Sequence, residues 1–349
     1  MTTNEFLVDG NIGGSIDGTA GADFGDISGQ IAVAERIGYD GVWTTEISHD
    51  PFLPLLLAAD RSKRLDIGTA IAVAFARNPM TMATLANDMQ MFSRGRFTLG
   101  LGSQIKPHIE HRFSMPWSAP AARMREFVLA LRAIWASWND DGPLDFRGEF
   151  YRHTLMTPMF RPGPNPFGPP RVLIAAVGMQ MTAVAAEVAD GMLVHGFTTE
   201  RYLREVTVPH VESVLRQHGR SRSQFTLSYP GLAATGGDRR SMDEAVSAVR
   251  RQIAFYAATP AYRGVLDLHG WGDLQPEFHR LSKQGDWAAM TGLVDDTMLH
   301  TFAVVGEPVE AAKEIARRFD GLIDRFTLYS PYVMADDVRE TIVRRLHGG

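Results

Sequence analysis

The chain of 349 residues contains no cysteine, which excludes disulfides, thiolate metal ligands and a cysteine nucleophile and fits a reducing compartment. It also lacks a basic excess: 35 Lys and Arg against 40 Asp and Glu leave a formal net charge of −5. With no run of five basic residues either, a nucleic-acid backbone is not an expected partner. No uninterrupted apolar stretch approaches the roughly 20 residues of a membrane span. The start, Met1-Thr2-Thr3-Asn4-Glu5, has no basic segment leading into an apolar one, so a cytoplasmic protein is expected. Three missing motifs narrow the chemistry. Gly100-Leu101-Gly102-Ser103-Gln104-Ile105 lacks the third glycine of a dinucleotide fingerprint, which disfavours a Rossmann domain. A phosphate-binding Gly-x-x-x-x-Gly-Lys-Ser/Thr loop is absent, and Ser103 is not in a Gly-x-Ser-x-Gly elbow, so phosphoryl transfer and serine hydrolysis are disfavoured too.

What is present is an ordinary globular composition, 45% hydrophobic and 21% charged, able to bury a sizeable core. Short runs rich in Val, Ile, Leu, Phe and Thr alternate with helix-period segments, the pattern of βα units on a parallel sheet. Eight such runs fall near 5–12, 41–46, 66–75, 97–103, 172–178, 191–196, 225–234 and 325–332. Eight parallel strands close a barrel, so the expected fold is a (β/α)8 barrel (TIM barrel) formed by residues 1–349 as one domain, its ligand site at the C-terminal strand ends. Val128, Leu131, Trp135 and Trp138, and later Val309, Ala312, Ile315, Ala316 and Phe319, mark helix faces turned to the sheet. Gly38-Tyr39-Asp40-Gly41-Val42-Trp43 and Ala189-Asp190-Gly191-Met192-Leu193-Val194 share one helix-to-strand grammar. Insertions are expected at about 104–118, at 140–171, where six prolines from Pro158 to Pro170 indicate a stiff surface loop, and at 259–303, a lid or a dimer contact.

Several polar residues fall just past strand ends, where barrel enzymes place their chemistry. Glu46, with His49 and Asp50 behind it, is a candidate acid/base or hydrogen-bonding group after the second strand; a solvated loop carboxylate is the plainer reading. His195 ends the sixth strand and is weighed in the same way, against a satisfied core histidine. His108 is a candidate donor to a cofactor or substrate, with a polar loop at the strand mouth as the plainer reading. His108 and His111 lack the spaced carboxylate that would make a metal site, so no metal is expected. At Gly178-Met179-Gln180-Met181-Thr182 a strand passes through glycine directly into a helix, offering free N–H groups and the positive end of the helix dipole to a phosphate.

The strings Asp66-Ile67-Gly68-Thr69-Ala70-Ile71-Ala72-Val73-Ala74-Phe75-Ala76-Arg77-Asn78-Pro79 and Ser93-Arg94-Gly95-Arg96-Phe97-Thr98-Leu99-Gly100-Leu101-Gly102 resemble the signature of luciferase-like monooxygenases. The resemblance runs on through Glu126, Pro162 to Pro170 and Ile174 to Gly178, and leaves out only about 259–303. It implies a barrel that binds flavin mononucleotide (FMN) or the deazaflavin coenzyme F420. The third-strand segment is most similar to the deazaflavin branch. The resemblance places Ala70 and Ile71 against the ring, joined by a cis peptide at a bulge. It puts Gly102, Ser103 and Gln104 at the ring's edge, and Ala175, Ala176, Val177, Gly178 and Met179 at the phosphate-bearing tail. It also implies a twofold homodimer. Where sugar-phosphate dehydrogenases of this branch have Asp-His after the second strand and a glutamate after the fourth, this chain has Glu46-Ile47 and Ile105, which argues against sugar-phosphate oxidation. The expected function is hydride transfer between F420 and a small organic substrate. An FMN-dependent monooxygenase and a non-catalytic flavin-binding barrel are the alternatives.

Overall fold

The computed structural model describes residues 6–14 and 24–349. Eight parallel strands form a closed ring: β1 (Leu7–Asn11), β2 (Gly41–Thr44), β3 (Asp66–Thr69), β4 (Phe97–Gly102), β5 (Arg171–Ala176), β6 (Gly191–Val194), β7 (Thr226–Ala234) and β8 (Arg325–Tyr329). Closure is made where Leu7 of β1 pairs Arg325 of β8. Each of the eight apolar runs supplies one strand of the ring, and the 66–75 run adds a second short one, Ala72–Val73, paired to β4. A further strand, Ala303–Val305, extends the sheet along the C-terminal half of β7. The helices around the ring are α1 (Ile27–Ile37), α2 (Phe52–Arg61), α3 (Pro79–Phe92), α4 (Pro120–Asn139), α5 (Met179–Val188), α6 (Val208–Gln217), α7 (Arg239–Ala257), α8 (Pro308–Phe319) and α9 (Asp336–Leu346). Val128, Leu131, Trp135 and Trp138 on α4 are all buried in the layer between helices and sheet, as are Ala312, Ile315 and Phe319 on α8.

The helix-to-strand junctions share a physical device. Asp40, just before β2, donates its N–H to the Val8 carbonyl, and its carboxylate accepts the Val8 N–H at 2.7 Å. Asp190, before β6, makes the same exchange with Val172 at 2.8 Å, and Asp324, before β8, with Leu227 at 2.6 Å. Each aspartate thereby supplies both partners that a strand's first peptide would otherwise lack. At the same N-terminal end, Arg325 lies between Asp9 and Asp66, 2.7 and 2.8 Å away, with its guanidinium over the Trp43 ring. Trp43, Leu173 and Leu193 fill the barrel interior, and Gly68 leaves no space for a Cβ beside the Trp43 ring.

The inserted segments are more ordered than stiff loops. The 140–171 stretch joins α4 to β5 and carries a small antiparallel hairpin, Phe146–Arg147 against Arg152–His153. Its turn is anchored by Glu126 of α4, whose carboxylate accepts the N–H groups of Glu149, Phe150 and Tyr151. The segment after α7 folds into short helices, Arg263–Leu268, Gln275–Gln284, Trp287–Gly292 and Asp296–Phe302. Together with α7 they form a second core seated on Phe197, Leu232, Ala234 and Tyr329, residues at or just past the ends of β6, β7 and β8. Among the described residues, no helix is long and apolar enough to cross a membrane.

Candidate active site

The C-terminal mouth has a small, apolar floor. Ala70, Ile71 and Ala175 pack directly on the Trp43, Leu173 and Leu193 layer. The Ala70–Ile71 peptide is cis. Four steps along the chain from Gly68 to Ala72 face three along β4 from Thr98 to Leu101, so one extra residue is accommodated there as a bulge. Val73 pairs Gly102 beyond it. A Cβ on Gly102 would lie 2.7 Å from Ile71 Cδ1, so glycine at 102 is what lets the Ile71 side chain lie across β4.

The end of β2 holds this bulge. Ala70 donates its N–H to the Thr44 carbonyl at 2.6 Å, Thr45 Oγ1 donates to the Ala70 carbonyl at 3.1 Å, and Glu46 N–H donates to the Ile71 carbonyl at 3.1 Å. Glu46 Oε2 then accepts the Val73 N–H at 2.7 Å and an Arg77 N–H at 2.6 Å. The Glu46 carboxylate is thus committed to the backbone and cation behind the floor. Asp50 is the second partner of Arg77, at 3.3 Å.

The other candidates occupy three further sectors of the rim. Ser103 Oγ donates to the Gln104 carbonyl, and Gln104, in the left-handed region at φ 60°, caps the Ile105 N–H with its own side-chain oxygen. His108 is exposed and opens a short π-helical turn, His108–Arg112, whose buried residue is Ile109. On β5 the side chains alternate: Ala175 joins the floor, Ala176 turns into the outer helix layer, and Val177, Gly178 and Met179 are exposed. Gly178 has ordinary extended angles, and a Cβ there would meet nothing within 4 Å. Neither its own backbone nor packing demands glycine. The first turn of α5 that follows has no side-chain cap, so its N–H groups stay available to an anion. His210 of α6 donates to the Met179 carbonyl at 3.0 Å and fixes that turn.

His195, just beyond β6, is the most enclosed of the candidates. Leu193 faces the barrel interior, so by strand alternation His195 rises on the same inward side. Its Nδ1 accepts the Phe197 N–H at 3.0 Å, and its Nε2 lies 3.1 Å from the Tyr262 hydroxyl. Tyr262 stacks on the imidazole at 4.4 Å and Tyr256 meets it edge-on at 4.8 Å. Burial holds His195 down at about 4, so the ring is neutral at physiological pH, and burial followed by the neighbouring Tyr256 pushes Tyr262 up to about 12. Sequence reasoning did not single out Tyr262. It sits inside the 259–303 segment, and no local pattern says which barrel strand that segment folds onto. Among the described residues, no group of three or more His, Cys, Asp or Glu is placed to hold a metal ion.

A closed eight-strand parallel barrel ringed by helices is a (β/α)8 barrel, a class that places its ligand sites at the C-terminal strand ends. The chain belongs to the luciferase-like monooxygenase family, whose model matches residues 7–325. It is 57% identical over 308 residues to an uncharacterised protein of Mycobacterium tuberculosis, covering 86% of this chain and 91% of that one. It is 25% identical over 293 residues to the 5,10-methylenetetrahydromethanopterin reductase of Archaeoglobus fulgidus, covering 82% and 83%. Among solved structures it resembles the coenzyme F420-dependent tetrahydromethanopterin reductase of Methanopyrus kandleri, with TM-score 0.75, 19% identity and 98% of both chains covered. It also resembles the oxygenating constituent of 3,6-diketocamphane monooxygenase of Pseudomonas putida in complex with FMN, with TM-score 0.68, 15% identity and 99% and 98% covered.

Proposed function

We propose that this protein is an oxidoreductase that transfers hydride between coenzyme F420 and a small organic substrate at the C-terminal mouth of the barrel. The observation that carries the reading is the floor of Ala70, Ile71 and Ala175 beside the uncapped start of α5. Small apolar groups suit the face of a flat ring, and free N–H groups suit its phosphate-bearing tail. The likeness to a coenzyme F420-dependent tetrahydromethanopterin reductase adds support for the deazaflavin over the flavin. Bound F420 would supply the hydride-carrying carbon. The protein's part is to hold position: Thr45, Glu46 and Arg77 keep the bulge in place, Gly102 gives Ile71 its seat, and Gly178 leaves open space ahead of α5.

The test is a fluorescence titration of the purified protein with oxidised F420, reduced F420 and FMN. Saturable F420 binding without FMN binding is the expected result. FMN binding alone, with oxygen consumed on reduction, would replace hydride transfer by the monooxygenase reading. Binding of neither would leave the mouth without its cofactor and sink both.

A twofold dimer is part of the same proposal. On α2, Phe52, Leu55, Ala58 and Ala59 are buried, while Leu53, Leu56 and Leu57 form an exposed apolar stripe on the other side. Met91 and Phe92, at the end of the neighbouring α3, are exposed as well. Apolar area of this extent on one face suits a second copy.

A further inference from the structure

The geometry points to Tyr262 as the residue that donates a hydrogen bond to the substrate, and to a neutral carbonyl oxygen as the group it recognises. This rests on the hydride-transfer reading and adds a residue and a substrate class to it. The argument begins with the protons. His195 Nδ1 accepts the Phe197 N–H, so the one ring proton of the neutral imidazole sits on Nε2. That proton points at the Tyr262 hydroxyl, 3.1 Å away. The phenol oxygen therefore accepts from His195, and its own proton has no acceptor among the described residues. A half-buried hydroxyl with a spare proton is placed to donate it to a ligand.

Its placement is fixed from both sides. The imidazole stacks on the Tyr262 ring and is held edge-on by Tyr256, while Phe197 lies 5.7 Å from the Tyr262 ring centre. The helices after α7 are held to the mouth by the second core, so the 259–303 segment delivers Tyr262 to the end of β6. The surroundings are aromatic and uncharged. A neutral oxygen fits there, whereas a carboxylate would be desolvated without a cation to pair it. When hydride adds to the carbon of a C=O group, the π pair moves to the oxygen. The Tyr262 proton follows it there, giving the alcohol, and water reprotonates the phenolate. His195 acts through Tyr262 as a positioning residue.

The test uses full-length protein carrying tyrosine labelled with 13C at Cζ, with the Tyr262 resonance assigned by its loss in Tyr262→Phe. Cyclohexanone is expected to shift that resonance, and methylenecyclohexane, the same shape without the oxygen, is not. His195→Gln, which can accept from Phe197 and donate to Tyr262, is expected to keep the shift, and His195→Leu to lose it. Cyclohexanone affinity, read by titration, should fall about tenfold in Tyr262→Phe. A resonance that ignores cyclohexanone, or answers both compounds alike, overturns the assignment. The readout needs neither coenzyme nor turnover, so failure of F420 to bind would show separately in the titration described above.

Discussion

The Glu46 carboxylate and the Arg77 guanidinium meet at 2.6 Å behind the mouth, 8% and 20% exposed, and the same carboxylate oxygen takes the Val73 N–H beyond the bulge. Removing the carboxylate leaves a buried peptide N–H unpaired and leaves the half-buried Arg77 with Asp50, at 3.3 Å, as its remaining carboxylate partner. Glu46→Ala is therefore expected to cost about 2–3 kcal/mol and to lower Tm by roughly 3–4 °C. Glu46→Gln, which keeps an acceptor for Val73, should cost less than half as much. Calorimetry on both variants checks the order; equal Tm values for wild type and Glu46→Ala would refute the bracing role.

His195 gives the protein a particular pH dependence. Its folded value, near 4, lies below the unfolded value of about 6.5, so the unfolded chain takes up the proton first. The contribution to stability is complete above pH 6.5 and declines as pH falls towards 4, by up to about 3 kcal/mol. His195→Gln should flatten that part of the profile. Denaturant midpoints measured from pH 4 to 7 on both proteins would show it, and parallel curves would mean that the imidazole titrates normally.

Gly178 is a site where affinity and stability should separate. Because a Cβ at this position meets nothing within 4 Å and the backbone is extended, Gly178→Leu should change Tm by no more than about 1 °C. The larger side chain would stand over the free N–H groups of α5, and F420 affinity should drop about tenfold or more. Unchanged affinity in the fluorescence titration would place the phosphate seat elsewhere.

The α2 stripe makes the dimer proposal testable. Leu53 and Phe92 are 57% and 58% exposed, so charge placed in this patch disturbs no buried packing. The double variant Leu53→Glu, Leu57→Glu should sediment as a monomer while wild type sediments as a dimer at micromolar concentration. A monomeric wild type, or a variant that still dimerises, would exclude this face.

Much of the barrel was legible because its signals are local. Each strand shows as an apolar run bounded by turns, and the junction aspartates Asp40 and Asp190 stand next to the strands they clamp. The Ala70–Ile71 cis peptide was legible only through resemblance, since nothing in an Ala-Ile pair announces it. The hairpin at 146–153 was missed because two-residue strands carry no periodicity, and its anchor, Glu126, lies more than twenty residues earlier in the chain.

The sequence by itself determined the number and the order of the barrel strands, since hydrophobic period and turn chemistry act over a few neighbouring residues. Tertiary structure alone decided what the polar residues there do. It turned Glu46 away to Arg77 and Val73, and it carried Tyr262 across 67 positions to His195. A side chain's role depends on what lies within about 3 Å of it, and that distance is set by how distant segments pack, which no local pattern encodes.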